Sequence, residues 1–195
     1  MVADGKRGDV PVSARPYAEA VIGFTDTPFG RFRALGADAM TVNPLLGVDA
    51  LEAFVEVAEE AGAGLFVLVR TSNPGAADIQ DLDVGGRPLF EELAEMVDRF
   101  SDRLAGKESG LSGMGAVTGA TEPRHLARLR ELMPKSIFLI PGVGAQGGDP
   151  AMLGAAFAAG QGSALVTASR SIAGASDPGA AAEDLRSTVW SLSQA

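Results

Sequence analysis

The chain has 195 residues, 46% of them hydrophobic and 21% charged, which is enough to bury one sizeable core in a single domain. Its net charge of −9 argues against nucleic acid or an anionic membrane as the main partner, because both would be repelled at long range. The absence of cysteine excludes disulfides and thiolate sites, and a single histidine excludes a histidine-rich metal centre. Without a long apolar run or a secretory signal pattern, the sequence predicts a soluble, cytoplasmic protein.

Six short apolar runs alternate with longer helix-like segments, a pattern typical of parallel strands joined by helical crossovers. The runs show no polar alternation, as expected of strands covered on both faces. The predicted strands cover residues 1–4, 39–42, 65–70, 114–117, 137–140 and 164–167.

Helix boundaries between these strands are also predicted. The pair Asp49 and Glu52 resembles a capping box, and Asp149 and Asp177 each stand where a side-chain oxygen can cap a first turn. Gly62 stands where a left-handed residue would end a helix.

The pattern gives about six strand-plus-helix units, whereas an eight-unit barrel of typical size takes roughly 250 residues. The chain is therefore expected to be either a barrel without two of its units or a six-stranded open sheet. The first predicted strand starts at residue 1, which is unusual for an intact domain.

The first polar group at a strand end is Asp4, Lys6 and Asp9. Residues two apart on an extended segment face the same way, so Asp4 and Lys6 can project together, with Asp9 in the loop beyond them. Nearby carboxylates favour the charged form of an amine. By itself, this hexapeptide is also typical of a solvated charge cluster at a frayed terminus.

A glycine-rich loop at residues 141–148 follows the fifth predicted strand. Its four glycines, Gly144 and Gly147 among them, let backbone amides approach an anion, and Gln146 adds a polar side chain. The last strand is followed by Ser169 and Arg170, and arginine suits bidentate contact with a phosphate. In barrels the loops after the last two strands often form a phosphate site, although either segment alone is also typical of an ordinary loop.

Two other segments carry polar residues. Residues 71–75 read Thr-Ser-Asn-Pro-Gly, which is either a plain turn or a polar edge that can contact a heterocycle through Ser72. His125 lies in a basic helical stretch with Arg124, Arg128 and Arg130, and its side chain is predicted to face solvent.

Taken together and in this order, these segments resemble orotidine 5′-phosphate decarboxylase. The Asp-x-Lys-Arg-Gly-Asp and Thr-Ser-Asn-Pro-Gly forms look like its branch of longer bacterial sequences. The resemblance implies an α/β protein, here an incomplete (β/α)₈ TIM barrel in which residues 1–195 form one domain that lacks the first two units. The family's aspartate that binds ribose and a further catalytic lysine belong to those two units, so an N-terminally truncated enzyme is expected.

The resemblance also implies roles. Lys6 would donate a proton to carbon six of the pyrimidine of orotidine 5′-monophosphate while Asp4 holds it, giving UMP and carbon dioxide without metal or organic cofactor. Asp9 would reach into the neighbouring subunit of a homodimer, with Ser13 where a threonine is usual. The remaining implied contacts are Ser72 to the pyrimidine, Gln146 and Arg170 to the phosphate, and a phosphate loop of Gly144, Gly147 and Ser169.

Two alternatives stay open. The chain as it stands could be a catalytically incomplete fragment that only binds phosphorylated nucleotides. It could also be a metal-dependent sugar-phosphate decarboxylase or aldolase of the same superfamily, although residues 71–75 have no obvious role there.

Overall fold

The computed structural model describes residues 1–194, in which a curved parallel sheet is backed by helices. The strands are β1 (Val2–Arg7), β2 (Thr25–Thr27), β3 (Gly30–Phe32), β4 (Ala39–Val42), β5 (Gly64–Arg70), β6 (Ser112–Thr118), β7 (Ser136–Ile140) and β8 (Ala164–Val166). The helices are α1 (Pro11–Val21), α2 (Val48–Ala61), α3 (Ala77–Gln80), α4 (Leu89–Asp98), α5 (Arg124–Leu132), α6 (Arg170–Ala173) and α7 (Pro178–Ser193).

The main sheet has six parallel strands in the order β1-β4-β5-β6-β7-β8, curled as a half-barrel. All six predicted strands are present, so the predicted α/β class with about six units is confirmed. The short antiparallel pair β2–β3 lies between α1 and β4 and was not predicted.

Side chains on the two faces of the sheet belong to two separate apolar clusters. On β5, Leu65 and Val67 pack in the large cluster shared with the helices, whereas Phe66 lies in a small cluster on the opposite face. A Cβ atom on Gly115 would lie 2.7 Å from the Phe66 ring, so glycine leaves the room that this ring fills inside the half-barrel. The alternation follows from the two-residue period of a strand.

The predicted helix boundaries are partly right. The side chains of Asp149 and Asp177 each accept a backbone hydrogen bond of 2.9 Å, and Gly62 has the expected left-handed φ of 64°. However, the capping box was wrong, because α2 begins directly after Gly47 without a side-chain cap. The helix expected after Asp149 is also absent from the described residues: that segment holds three 3₁₀ turns at Pro150–Met152, Gly154–Phe157 and Gln161–Ser163.

The prediction that His125 faces solvent is only partly right, and α5 also holds a buried arginine. Arg130 is buried, and burial lowers its pKa to about 10. Its guanidinium lies 3.8 Å from the centre of the Phe138 ring. It donates to four backbone carbonyl oxygens, those of Met133, Ser136, Ala156 and Ser163. His125 is half-buried beside Phe90, with ring centres 4.7 Å apart. Both side chains therefore serve packing in this part of the fold.

Within residues 1–194, no helix combines the length and the apolar character needed to cross a bilayer.

Candidate functional site

A cavity of about 970 Å³ lies at the carboxyl ends of the strands of the main sheet. Its polar lining includes Asp4, Lys6, Asn43, Ser72, Gln146 and Ser169, and the inner-face residues Leu68, Val117 and Leu139 form part of its apolar floor. Residues from the first strand and from the loop after the last strand thus meet in one space. The carboxyl ends of parallel strands are where barrel proteins place their active sites.

A second cavity, of about 530 Å³, lies between β8 and α7. Its lining includes Val166, Leu185 and Trp190, and none of the predicted site residues belongs to it. The polar groups converge on the larger cavity, which is therefore the candidate site.

Asp4 and Lys6 form an ion pair at the edge of this cavity. The Lys6 ammonium donates to both carboxylate oxygens of Asp4 at 2.6 Å. Burial alone would raise the pKa of Asp4, but hydrogen bonds from Lys6 and from Thr41, together with the Lys6 charge, hold it below its ordinary value. At neutral pH the Asp4 carboxyl group is therefore ionised where it meets the Lys6 side chain.

Thr41 on β4 is a site residue that the sequence analysis missed. Its hydroxyl donates to the Asp4 carboxylate and accepts from the Lys6 backbone N–H, both at 2.9 Å. Thr41 is fully buried. It stands within the apolar run at residues 39–42, so the sequence alone gives no reason to separate it from the core.

The structure places Asp9 and Ser13 apart from Asp4 and Lys6. Asp9 caps its own loop by accepting a hydrogen bond of 2.8 Å from the Val10 backbone N–H, and Ser13 lies in α1. Neither residue lines the cavity of its own chain.

The loops after β5 and β7 meet at Ser72 and Gln146. The Ser72 hydroxyl donates to the Gln146 side-chain oxygen at 2.9 Å, and the Thr121 hydroxyl donates to the Ser72 carbonyl at 3.1 Å. A Cβ atom on Gly142, whose φ is 105°, would lie 2.8 Å from the Ser72 Cβ, so a side chain there would push the two loops apart.

The segment at residues 71–75 is held by a partly buried ion pair. Arg70 donates to the Asp81 carboxylate at 2.7 and 3.0 Å and to the Thr71 carbonyl at 2.7 Å. Its hydrogen bonds lower the pKa of Asp81. Gln80 accepts from the Thr71 backbone N–H at 2.8 Å, so both backbone polar groups of Thr71, the residue before Ser72, are held.

The glycine-rich loop at residues 141–148 contains a tight turn. Gly144 and Gly147 have φ values of 74° and 92°, and the Gly147 N–H donates to the Gly144 carbonyl at 2.8 Å. Ser169 lines the cavity, whereas the Arg170 side chain is exposed outside it, at the first position of α6. The structure thus brings Gln146 and Ser169 to the site and leaves Arg170 beside it.

Among residues 1–194, no three side chains of His, Asp or Glu come together in a group that could hold a metal ion.

The fold and the site define a half-barrel α/β protein with its polar cavity at the carboxyl ends of the strands. The match to known proteins is more specific. The chain belongs to the orotidine 5′-phosphate decarboxylase / HUMPS family, whose family model matches residues 1–185.

Curated relatives are named orotidine 5′-phosphate decarboxylase. The protein of Caldicellulosiruptor bescii is 48% identical over 148 residues, which cover 76% of this chain and 48% of that relative. The protein of Deinococcus radiodurans is 42% identical over 185 residues, which cover 94% of this chain and 63% of that relative. This chain thus spans about half to two thirds of the length of these relatives.

Solved structures from the same family are also similar to this chain. The structure of Leishmania donovani OMP decarboxylase matches with a TM-score of 0.79 at 33% identity, covering 100% of this chain and 68% of that one. A putative orotidine 5′-phosphate decarboxylase from Streptomyces avermitilis matches with a TM-score of 0.68 at 36% identity, covering 99% and 62%.

Proposed function

We propose that this chain acts in the decarboxylation of orotidine 5′-monophosphate to UMP and carbon dioxide, as a carboxy-lyase of pyrimidine biosynthesis. The observation that carries the proposal is the Lys6–Asp4 ion pair at 2.6 Å, in the same cavity as Gln146 and Ser169. The cavity thus offers a proton donor together with polar groups for a phosphate. Family membership and the names of the relatives support this proposal.

In the proposed reaction, the substrate carboxylate lies beside Asp4. The carbon–carbon bond breaks, carbon dioxide leaves, and the electron pair stays on carbon six of the pyrimidine. The Lys6 ammonium stabilises this developing negative charge and then transfers its proton to that carbon, after which the amine regains a proton from water. Repulsion between the Asp4 and substrate carboxylates raises the energy of the bound substrate and is relieved as carbon dioxide departs.

The rest of the cavity would hold the nucleotide. Ser72 would contact the pyrimidine, and Gln146 with the turn of Gly144, Gly147 and Ser169 would contact the phosphate. Arg170 lies beside this turn on an exposed position, from which its long side chain would turn toward a bound phosphate. Phosphate binding away from the reacting carbon supplies energy to position the substrate.

Asp9 would act in the site of a second copy in a homodimer. Asp9 and Ser13 lie outside the cavity of their own chain, which fits this role. Next to them Val10 and Val12 expose 48% and 80% of their surface, so apolar side chains are available there for contact with a second subunit.

A second candidate function is nucleotide binding without turnover. β1 and β8 are the two edge strands of an unclosed sheet, and Leu165 on β8 is 44% exposed. An open edge leaves the cavity more accessible to water, which weakens the electrostatic stabilisation on which decarboxylation depends.

Two measurements on the same 195-residue chain test these candidates. Turnover is followed by the loss of orotidine 5′-monophosphate absorbance, and binding is measured by calorimetry with UMP. Turnover supports decarboxylation, whereas UMP binding without turnover supports the nucleotide-binding alternative. If the chain neither binds UMP nor consumes the substrate, both proposals fail.

A further inference from the structure

The Thr41 hydroxyl connects the two charged groups of the site. It is fully buried and lies between the Asp4 carboxylate, to which it donates, and the Lys6 backbone N–H, from which it accepts. Because its proton points to the carboxylate, a lone pair of the oxygen is left for the Lys6 N–H, and both contacts are satisfied together. One hydroxyl on a neighbouring strand thus touches both members of the ion pair.

The backbone of β1 is irregular at this point. Ala3 pairs with Met40 and Arg7 pairs with Val42, so three residues of β1 lie opposite Thr41 alone. Such a bulge takes residues out of the ladder and redirects their side chains. In this chain the bulge directs the side chains of Asp4 and Lys6 toward the same cavity.

The bulge also carries backbone strain. Lys6 has a φ of 47°, and among residues 1–194 it is the one residue other than glycine with a positive φ. A side chain in this region costs free energy, so the surrounding structure must hold it there. The bulge removes the Lys6 N–H from the hydrogen bonds of the strand ladder, and the Thr41 hydroxyl accepts a hydrogen bond from it instead.

We propose that Thr41 is a positioning residue, which holds the strained Lys6 backbone and the Asp4 carboxylate so that the ammonium points into the cavity. This inference deepens the proposed function and rests on it for its catalytic consequence. The positioning itself is a property of the free protein and is tested without substrate.

Three variants separate the hydroxyl from the packing of the side chain. Thr41→Val keeps the shape and removes the hydroxyl, whereas Thr41→Ser keeps the hydroxyl and removes the methyl group. Thr118→Val is the matched control, because Thr118 is also fully buried, on β6 of the same sheet, and its hydroxyl has no hydrogen-bond partner among residues 1–194.

The first readout is the pKa of Asp4, measured by carbon-detected NMR of the labelled carboxyl group. Thr41→Val should raise this pKa, because the carboxylate loses a donor, while Thr41→Ser and Thr118→Val should leave it near the wild-type value. An unchanged Asp4 pKa in Thr41→Val, or an equal rise in Thr118→Val, would overturn the proposal.

The second readout is turnover of orotidine 5′-monophosphate by the same proteins. Thr41→Val should lower kcat by about 10- to 100-fold with little change in KM, and Thr41→Ser should restore most of the rate. Equal losses in the valine and serine variants would show that packing matters and the hydroxyl does not. If the wild-type chain has no activity, the proposed function fails separately, and the Asp4 pKa still decides the role of Thr41.

If Thr41→Val does not fold, hydrogen exchange on the wild-type chain provides the test. The Lys6 amide should be protected, because it donates to a buried hydroxyl. Exchange at the rate of an unstructured peptide would contradict the proposal.

Discussion

Ser72 and Gln146 are 74 positions apart in the sequence, and their side chains share a hydrogen bond of 2.9 Å at the cavity that also holds the Lys6–Asp4 pair. This contact joins the loop after β5 to the loop after β7. The loops proposed to hold the pyrimidine and the phosphate are thus coupled before any ligand binds, which reduces the ordering that binding requires.

Replacing Gln146 tests the proposed phosphate contact. Gln146→Ala should weaken UMP binding by about 10- to 100-fold, because a hydrogen bond to a charged phosphate is lost. Calorimetry measures the dissociation constant. Gln161→Ala is the control, since Gln161 lies before β8, away from the candidate site. Equal binding by Gln146→Ala and the wild-type chain would show that Gln146 does not hold the phosphate.

Arg170 is predicted to recognise phosphate and not the nucleoside. Arg170→Ala should lower the affinity for UMP by about 10- to 100-fold and leave the affinity for uridine unchanged, because only UMP carries the anion that a guanidinium binds. Parallel titrations with both ligands measure this. Arg99→Ala, an exposed change after α4, should alter neither affinity. An equal loss for both ligands would point to a general structural effect of Arg170.

The Arg70–Asp81 pair is predicted to stabilise the loop that carries Ser72. The Arg70 side chain is only 6% exposed, so Asp81→Asn leaves a buried guanidinium with weakened partners. The free energy of unfolding, measured with urea, should fall by about 2 kcal/mol. This loss is smaller than the loss expected for breaking a fully buried pair, because Asp81 is partly exposed. Glu183→Gln, which breaks the exposed pair with Arg186, should leave stability unchanged.

The effect of Asp81→Asn should depend on pH. Arg70 holds the pKa of Asp81 below its ordinary value in the folded chain, so the pair contributes its full stability above the ordinary pKa of aspartate, about 4. That contribution disappears as pH falls through the lowered value. Urea unfolding of both proteins at pH 7 and at pH 3 should therefore show a smaller difference at the lower pH. A difference that grows on acidification would contradict the assignment.

The main sheet could be predicted because its strands are apolar runs flanked by turn residues. The pair β2–β3 could not, since its strands are only three residues long and exposed, and Phe32 is their one apolar side chain. Arg130 looks like a surface residue in a basic helix. Its partners Ala156 and Ser163 lie 26 and 33 positions away in the sequence, so only the tertiary fold shows why it is buried.

The candidate site could also be predicted only in part, because some of its contacts are local in the sequence and others depend on the tertiary fold. Asp4 and Lys6 are neighbours on one strand, so their contact follows from local spacing. Thr41 depends on a shift in strand register, which leaves no local signal in the sequence. The position of Arg170 after the last strand was predictable, but the direction of its side chain depends on how α6 begins.

Turnover by Lys6→Ala tests the central claim most directly, because Lys6 is the proposed proton donor. Lys107→Ala is the matched control, since Lys107 is exposed in the loop before β6, at the opposite end of the strands. With orotidine 5′-monophosphate, the wild-type chain and Lys107→Ala should show equal rates, and Lys6→Ala should be slower by at least about 100-fold. A wild-type rate in Lys6→Ala would contradict the account.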